Sequence, residues 1–326
     1  MIGRRSWALH FAAVTASALL LAGHAHAQAF PNKPVRVVVP LTPGSGADIV
    51  ARILGRKLQE MWGQPVLVDN RPGAGGQIGT REVVRAAPDG HTLLVQSASH
   101  AANVAMYKSL PYDPLKDLVD VALLARTPYV MVASASGPYK SVKDVVDRAK
   151  SRSPGVFFAS AGVGTSTHLT AELFADKAGV QMTHVPFKGS PDAINDVAGG
   201  NSAFYMAPLP TVGGMLKDGK LVPIAVTSDR RVPALANVPT IAESGYPGFQ
   251  AELWVGLWAP AGTPQAVLDK LAADVATALK SPEVVDQFAR GGNEPGALTP
   301  AQFARFVRSE VDTNRELVRK ANIPVE

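Results

Sequence analysis

Two strand–glycine loop–helix junctions, far apart in the chain, constrain its fold more than any other feature. One lies in 35-VRVVVPLTPGSGADIVARIL-54 and the other in 157-FFASAGVGTSTHLTAELF-174. In each, a β-branched or aromatic run breaks at glycines, and an amphipathic helical pattern follows at once. Glycine lets the backbone turn sharply and approach a ligand closely, and Ser or Thr then stands where helix-capping hydroxyls belong. Unpaired N–H groups and the positive end of the helix dipole make such a junction a natural anion site. Two of them in one chain suggest two lobes that close on a single small anion.

The first 27 residues read as an export signal: Arg4 and Arg5 give a positive start, the segment from Trp7 to Ala22 is mostly apolar, and Ala25-His26-Ala27 is a small-x-small cleavage site. The apolar run is short and interrupted by His10 and Thr15, which argues against a retained membrane span. The arginine pair leaves general secretion and the twin-arginine route both open. Removing 27 of 326 residues leaves 299, enough for two ordinary domains. Two of the 32 Lys+Arg go with the signal, so 30 face 27 Asp+Glu, a mild and scattered excess that gives no footprint for nucleic acid. The chain has no cysteine, which excludes disulfides, thiol catalysis, cysteine-held metals and a lipoprotein anchor. A soluble periplasmic protein is the expectation.

Apolar runs alternate with helical patterns along most of the chain, the signature of α/β layers. Strands are expected at 35–39, 66–68 and 92–96, with helices at 47–61 and 78–86 between them. Around residues 125–132 the chain leaves this unit for a second series: helix 142–151, strand 156–159, helix 167–178, strand 182–186, helix 191–198 and strand 221–226. The Pro-rich stretch 232–239 leads back, and helices at 265–279, 282–290 and 300–321 form the tail. Domain limits follow: lobe one from 28–128 plus 234–326, lobe two from 129–233.

Enzyme chemistry finds little support. In 70-NRPGAGGQIG-79, counting from Gly73, Ile78 stands where a dinucleotide fingerprint needs glycine, and the chain has no Walker A lysine motif. The segment 164-GTSTH-168 falls one residue short of the G-x-S-x-G hydrolase elbow, and His184 is the only histidine after it. His91, His100, His168 and His184 show no H-x-x-x-H spacing for metal. Neither a cofactor nor a metal is expected. Asp48 reads as a first-turn carboxylate complementing its helix dipole rather than a ligand contact. Trp254 and Trp258 in 252-ELWVGLWAPAGTP-264 fit a cleft lining or a core equally well.

Beyond the two junctions, 65-PVLVDNRPGAGGQIG-79, 88-PDGHTLL-94, 110-LPYDPLKDL-118, 184-HVPFKGSPDAINDV-197, 219-GKLVPIAVTSDRR-231, 238-VPTIAESGYPGF-249 and 254-WVGLWAPAGTP-264 stand in an order that resembles the Bug-type extracytoplasmic solute receptors, also called the tripartite tricarboxylate receptor family. The resemblance spans essentially all of the chain after the signal. It implies a two-lobed periplasmic binding-protein fold of the Venus-flytrap type (type II), and a non-enzymatic receptor for a small carboxylate. The receptor delivers its ligand to the membrane subunits of a tripartite transporter, or presents it to a sensor kinase; a periplasmic hydrolase is the rival class. A monomer is expected. Carried over by position, the ligand-binding residues are Thr42, Gly44, Ser45, Gly46 and Ala47 in the first loop and Gly164, Thr165 and Ser166 in the second. Gly75, Ser97 and Ser99 add to the lobe-one wall, and Ala207 completes the set. Two departures bear on the ligand. Ser45 replaces the second glycine that many relatives carry after the loop proline, adding a hydroxyl or narrowing the pocket. Ala207-Pro208 replaces an Asp-Asn pair that in relatives can bind an ammonium or hydroxyl, which argues against an amino-acid ligand without choosing among acids; the resemblance implies a di-, tri- or aromatic carboxylate.

Overall fold

The computed structural model describes residues 30–151 and 155–326; the expected signal segment lies outside them. The helices and strands expected from periodicity are present, their ends within two residues of the expected ones.

Strands β1 (Val35–Val39), β2 (Val66–Asn70) and β3 (Thr92–Ser97) form a parallel trio in the order β2-β1-β3. A second parallel trio is built from β5 (Phe157–Ser160), β6 (Thr183–Pro186) and β7 (Phe204–Pro208). Between the trios run β4 (Leu118–Ser134) and β9 (Glu252–Pro260), antiparallel to each other, giving the order β2-β1-β3-β9-β4-β7-β5-β6. Strand β8 (Leu221–Val226) and the two-residue β10 (Glu294–Pro295) also pair with β4. The 17-residue β4 ties the halves together: residues 118–128 pair with β9, and 129–134 pair with β7 and β8. The chain returns beside it, with Thr227 N–H donating to Tyr129 O at 3.0 Å and Ala251 N–H to Thr227 O at 3.0 Å.

Helix α1 (Gly46–Trp62) starts at Ser45, whose Oγ accepts from Asp48 N, and stops at Gly63, left-handed at φ 64°. Its inner face buries Val50, Ala51, Leu54 and Leu58 at helical spacing. Helix α2 (Gln77–Val84) follows β2, α3 (Ser99–Met106) follows β3, and α4 (Val142–Lys150) begins lobe two with a Ser141–Asp144 capping box. Helices α5 (Ser166–Ala178) and α6 (Ser190–Ala198) complete that lobe's crossovers, with a short α7 (Gly213–Lys217) before β8. The tail forms α8 (Gln265–Leu279), α9 (Pro282–Arg290) and α10 (Pro300–Lys320); α10 packs on α3 and β4.

The tryptophans belong to the core: Trp254 and Trp258 sit on one face of β9, and their Nε1 groups donate to Glu310 at 2.8 Å and Asp120 at 2.7 Å. A four-residue spacing is also an even one, so it places two side chains on the same side of a strand. No helix among the described residues is long and apolar enough to cross a membrane.

Candidate functional site

Both anticipated loops meet at the middle of the molecule, and two further helix starts join them. The N-termini of α1, α3, α5 and α6 converge on a small polar pocket lined by Thr42 and Ser45, Ser97 and Ser99, Thr165 to Thr167, and Gly189 and Ser190. Leu41, Ala161, Pro208 and Leu253 supply the apolar remainder, so every residue lining the pocket is uncharged. First-turn amides have no intrahelical acceptor, and four such turns point positive dipole ends at one place.

In the lobe arrangement seen here the pocket holds about 20 Å³, room for about one water. The lobes touch directly across it. Ser166 N–H in lobe two donates to Ser99 Oγ in lobe one at 3.0 Å, and Ser99 Oγ accepts from Ser97 Oγ at 3.0 Å. Thr165 caps α5, donates its hydroxyl to Gly162 O at 2.7 Å and lies 3.0 Å from the Thr167 hydroxyl, which takes Ala161 N–H at 3.0 Å. Tyr205 donates to Ser190 Oγ at 3.0 Å, holding the start of α6. Thr42 Oγ1 is buried without a partner. A Cβ on Gly189 would lie 2.5 Å from Thr42 Cγ2 and 2.9 Å from its Cβ, so the lobes approach here only because residue 189 has no side chain.

Asp48 is buried in the scaffold of the first loop rather than in the pocket wall. Its carboxylate accepts from Gly44 N–H at 2.9 Å, Arg52 Nε at 3.0 Å and Asn70 Nδ2 at 2.9 Å, and Asn70 also donates to Leu41 O at 3.0 Å. Burial by itself would push this carboxyl up; the Arg52 guanidinium, the Gly44 amide and the Asn70 amide outweigh it and hold the carboxyl below the ordinary aspartate range.

The pocket adjoins an outer chamber of about 610 Å³, sharing Leu41, Thr42 and Ala161 with it. Pro40, Pro72, Ala74, Tyr107, Val163, Pro186 and Phe187 make most of this wall apolar, and Lys188 and Asp192 stand at its exposed edge. The lobes also meet at its rim, where Tyr107 donates to Val163 O at 3.2 Å; beside it Asn103 Nδ2 donates to Gly75 O at 3.2 Å within lobe one.

The residues anticipated from sequence therefore take different places. Thr42, Ser45, Ser97, Ser99, Thr165 and Ser166 surround the pocket. Gly44, Gly46 and Ala47 supply the turn and first helical amides of α1. Gly75 and Gly164 flank Tyr107 at the rim, and a Cβ on Gly164 would lie 2.5 Å from Tyr107 Cε2. Ala207 does not face the pocket: it is fully buried in the lobe-two core, and the next residue, Pro208, lines the pocket instead. The sequence reading places Ser97 and Ser99 in the wall without the helix that starts there, and it misses the start of α6. For α6 a signal was present, glycine followed by Ser190-Pro191 and an acidic Asp192 in the first turn.

A serine–histidine pair does exist, with Ser160 Oγ 2.6 Å from His184 Nε2. It is unsuited to turnover. Ser160 is fully buried and occupied by Gly162, and burial together with neighbouring His168 lowers His184 to about 3, too weak a base for neutral pH. His184 stacks on His168 at 3.7 Å and on Phe158 at 5.1 Å, as a core element beneath the second loop.

Comparison with known proteins agrees with this geometry. Residues 50–323 match the family described as the tripartite tricarboxylate transporter family receptor, TctC. The chain belongs to that family. BugT of Bordetella pertussis is 36% identical over 302 residues, covering 92% of this chain and 93% of that protein. An R. palustris protein solved with adipate is 34% identical at a TM-score of 0.87, covering 91% of this chain and all of that one. MatC from Rhodopseudomonas palustris, solved with malate, is 33% identical at a TM-score of 0.84, covering 89% of this chain and all of MatC. The fold is thus the two-lobed solute-binding architecture.

Proposed function

We propose that the protein captures a small carboxylate between its lobes in the periplasm and delivers it to the membrane subunits of a tripartite tricarboxylate-type transporter, without catalysing any reaction. In this reading lobe one comprises 28–128 and 234–326, lobe two 129–233, and the protein acts as a monomer. The observation that carries the proposal is the convergence of four helix N-termini on a pocket lined only by uncharged residues. Each terminus presents roughly half a positive charge, worth ~0.3–2 kcal/mol toward an anion. A hydrogen bond to a carboxylate adds about 1.5–3 kcal/mol. Three or four such bonds in a closed cleft support micromolar or tighter binding after ordering costs. A ligand carboxylate takes over the Ser166 N–H now satisfied by Ser99 and gains contacts from both lobes only when they meet, which shifts the equilibrium toward closure.

The chamber beyond the pocket narrows the ligand class. No carboxylate lines the inner pocket to hold an ammonium beside the bound acid group, and the outer wall is largely apolar, with Lys188 and Asp192 only at its exposed edge. That arrangement suits a non-amino acid with an apolar body, such as a dicarboxylate whose far end reaches Lys188, or an aromatic acid. Adipate and malate, seen in the two structural relatives, both lack an ammonium group. The test is thermal-shift screening followed by calorimetry with malate, adipate, citrate and benzoate, and with aspartate and glutamate as controls. At least one of the four acids raises the melting temperature and binds one to one, while the amino acids do not. Silence from all four acids, tighter binding of an amino acid, or conversion of any ligand to product would end the proposal.

A further inference from the structure

A second cavity, of about 310 Å³, lies behind the hinge and is separate from the chamber described above. It is bounded by the crossing strands β4 and β9, by α10 and α3 of lobe one, and by α5 of lobe two. Its volume falls in the range of small-molecule pockets, roughly 300–1,000 Å³.

Two independent features of its wall ask for a partner. Tyr129, 1% exposed, lines the cavity, and its hydroxyl makes no close hydrogen bond, with only the Ser166 and Thr170 hydroxyls as neighbours able to partner it. The other feature is Glu310. Its Oε2 accepts the Trp254 indole N–H at 2.8 Å, yet among the described residues no cation forms an ion pair with it. Arg126 is committed elsewhere, 3.5 Å from Glu252 and 4.8 Å above the Phe306 ring. Two carboxylates thus face one engaged guanidinium; Trp254, Leu169, Leu173 and Leu317 give the wall an apolar side, and Gln250, Thr313 and Asn314 a polar one.

We propose that this hinge cavity is a second ligand site, for a small organic amine whose ammonium pairs with Glu310 and hydrogen-bonds Tyr129 while its apolar body packs on Trp254 and the leucines. Its occupant touches both lobes and shares Ser166 with the cleft, so it favours the closed arrangement and tightens binding of an acid in the cleft. The site itself stands whether or not the cleft binds a carboxylate.

The experiment is calorimetry and thermal shift on the full protein with phenethylamine and butylamine, using phenethyl alcohol and phenylacetate as uncharged and anionic controls. The expected result is saturable one-to-one amine binding that weakens at least about ten-fold in Glu310→Gln and falls in Tyr129→Phe. Thr313→Phe, on the exposed edge of the cavity, blocks the site without touching the core. With any acid that the cleft binds, saturating amine lowers its Kd about five-fold or more. A cavity that takes up only water, equal binding of the alcohol, preference for phenylacetate, or amine binding untouched by both Glu310→Gln and Thr313→Phe overturns the proposal.

Discussion

Replacing Gly189 by alanine separates closure from ligand contact more cleanly than removing any ligand donor does. Gly189 is extended at φ 177°, a conformation open to any residue, so alanine adds no backbone strain. Its new Cβ, however, lies 2.5 Å from Thr42 Cγ2 and 2.9 Å from Thr42 Cβ across the cleft. Rotating Thr42 moves Cγ2 and Oγ1 but cannot move its Cβ, so the lobes themselves must give way. Overpacking of this kind costs about 1–3 kcal/mol. The cost falls on the closed form alone, and apparent affinity drops in proportion to the closed population, by about 5- to 150-fold. Calorimetry with whichever acid binds the wild type measures it. The melting temperature of the unliganded protein stays within a degree or two, since an open cleft accommodates the methyl group. Thr42→Gly removes the opposing atoms, so the double variant recovers part of the loss relative to Gly189→Ala alone. Unchanged affinity in Gly189→Ala would refute the idea that this lobe contact is part of ligand capture.

Thr165→Ala combined with Ser166→Ala should weaken acid binding at least ten-fold in calorimetry while moving the unliganded melting temperature little, because the pocket loses two lining hydroxyls while the core packing of α5 is kept. Asp48→Asn removes the charge that orders the first loop around Gly44, Arg52 and Asn70; stability should fall by about 1–3 kcal/mol in urea melts, with weaker acid binding alongside. Acid also probes the core. Burial lowers His100 to about 4, and burial with His168 lowers His184 to about 3, both below the ordinary histidine value of 6.5. Their neutral forms favour the folded state, so this stability is complete above pH 6.5 and is lost as pH falls toward the folded values. For His100 the loss between pH 7 and 4.5 is on the order of 2–3 kcal/mol, with a smaller part from the more exposed His184. Urea melts at the two pH values measure it, and an undiminished loss in a His100→Phe, His184→Phe variant would contradict the assignment.

Local signals in the amino-acid sequence specify much of the fold. Ser45 and Thr165 announce their helices by capping, Gly63 and Gly179 end them in left-handed turns, and the four valines of β1, all buried and broken only by Arg36, mark a central strand. What escaped depends on partners distant in sequence. Helix α3 begins at Ala98 with no capping side chain, so its start carries no local mark, although it brings Ser99 against Ser166. Strand β4 carries Pro128 in its middle and reads as a break; the proline sits where pairing passes from β9 to β7 and β8, and only that handover tolerates it. Ala207 illustrates the two-residue period of a strand: alternation on β7 turns Ala207 into the core opposite Val130 and leaves Pro208 for the pocket. A motif matched by position cannot show which of two adjacent side chains faces the ligand.

Above all, the proposed ligand capture depends on uncharged amides and hydroxyls gathered from four helix starts holding an acid group. The most direct measurement is a crystal structure of the protein with an acid that calorimetry shows to bind. The expected result is a carboxylate within about 2.7–3.2 Å of first-turn amides or hydroxyls from both lobes, Ser45 or Ser99 on one side and Thr165 or Ser166 on the other. An acid group held instead by a lysine or arginine outside this pocket, or by one lobe only with the cleft left open, would contradict it.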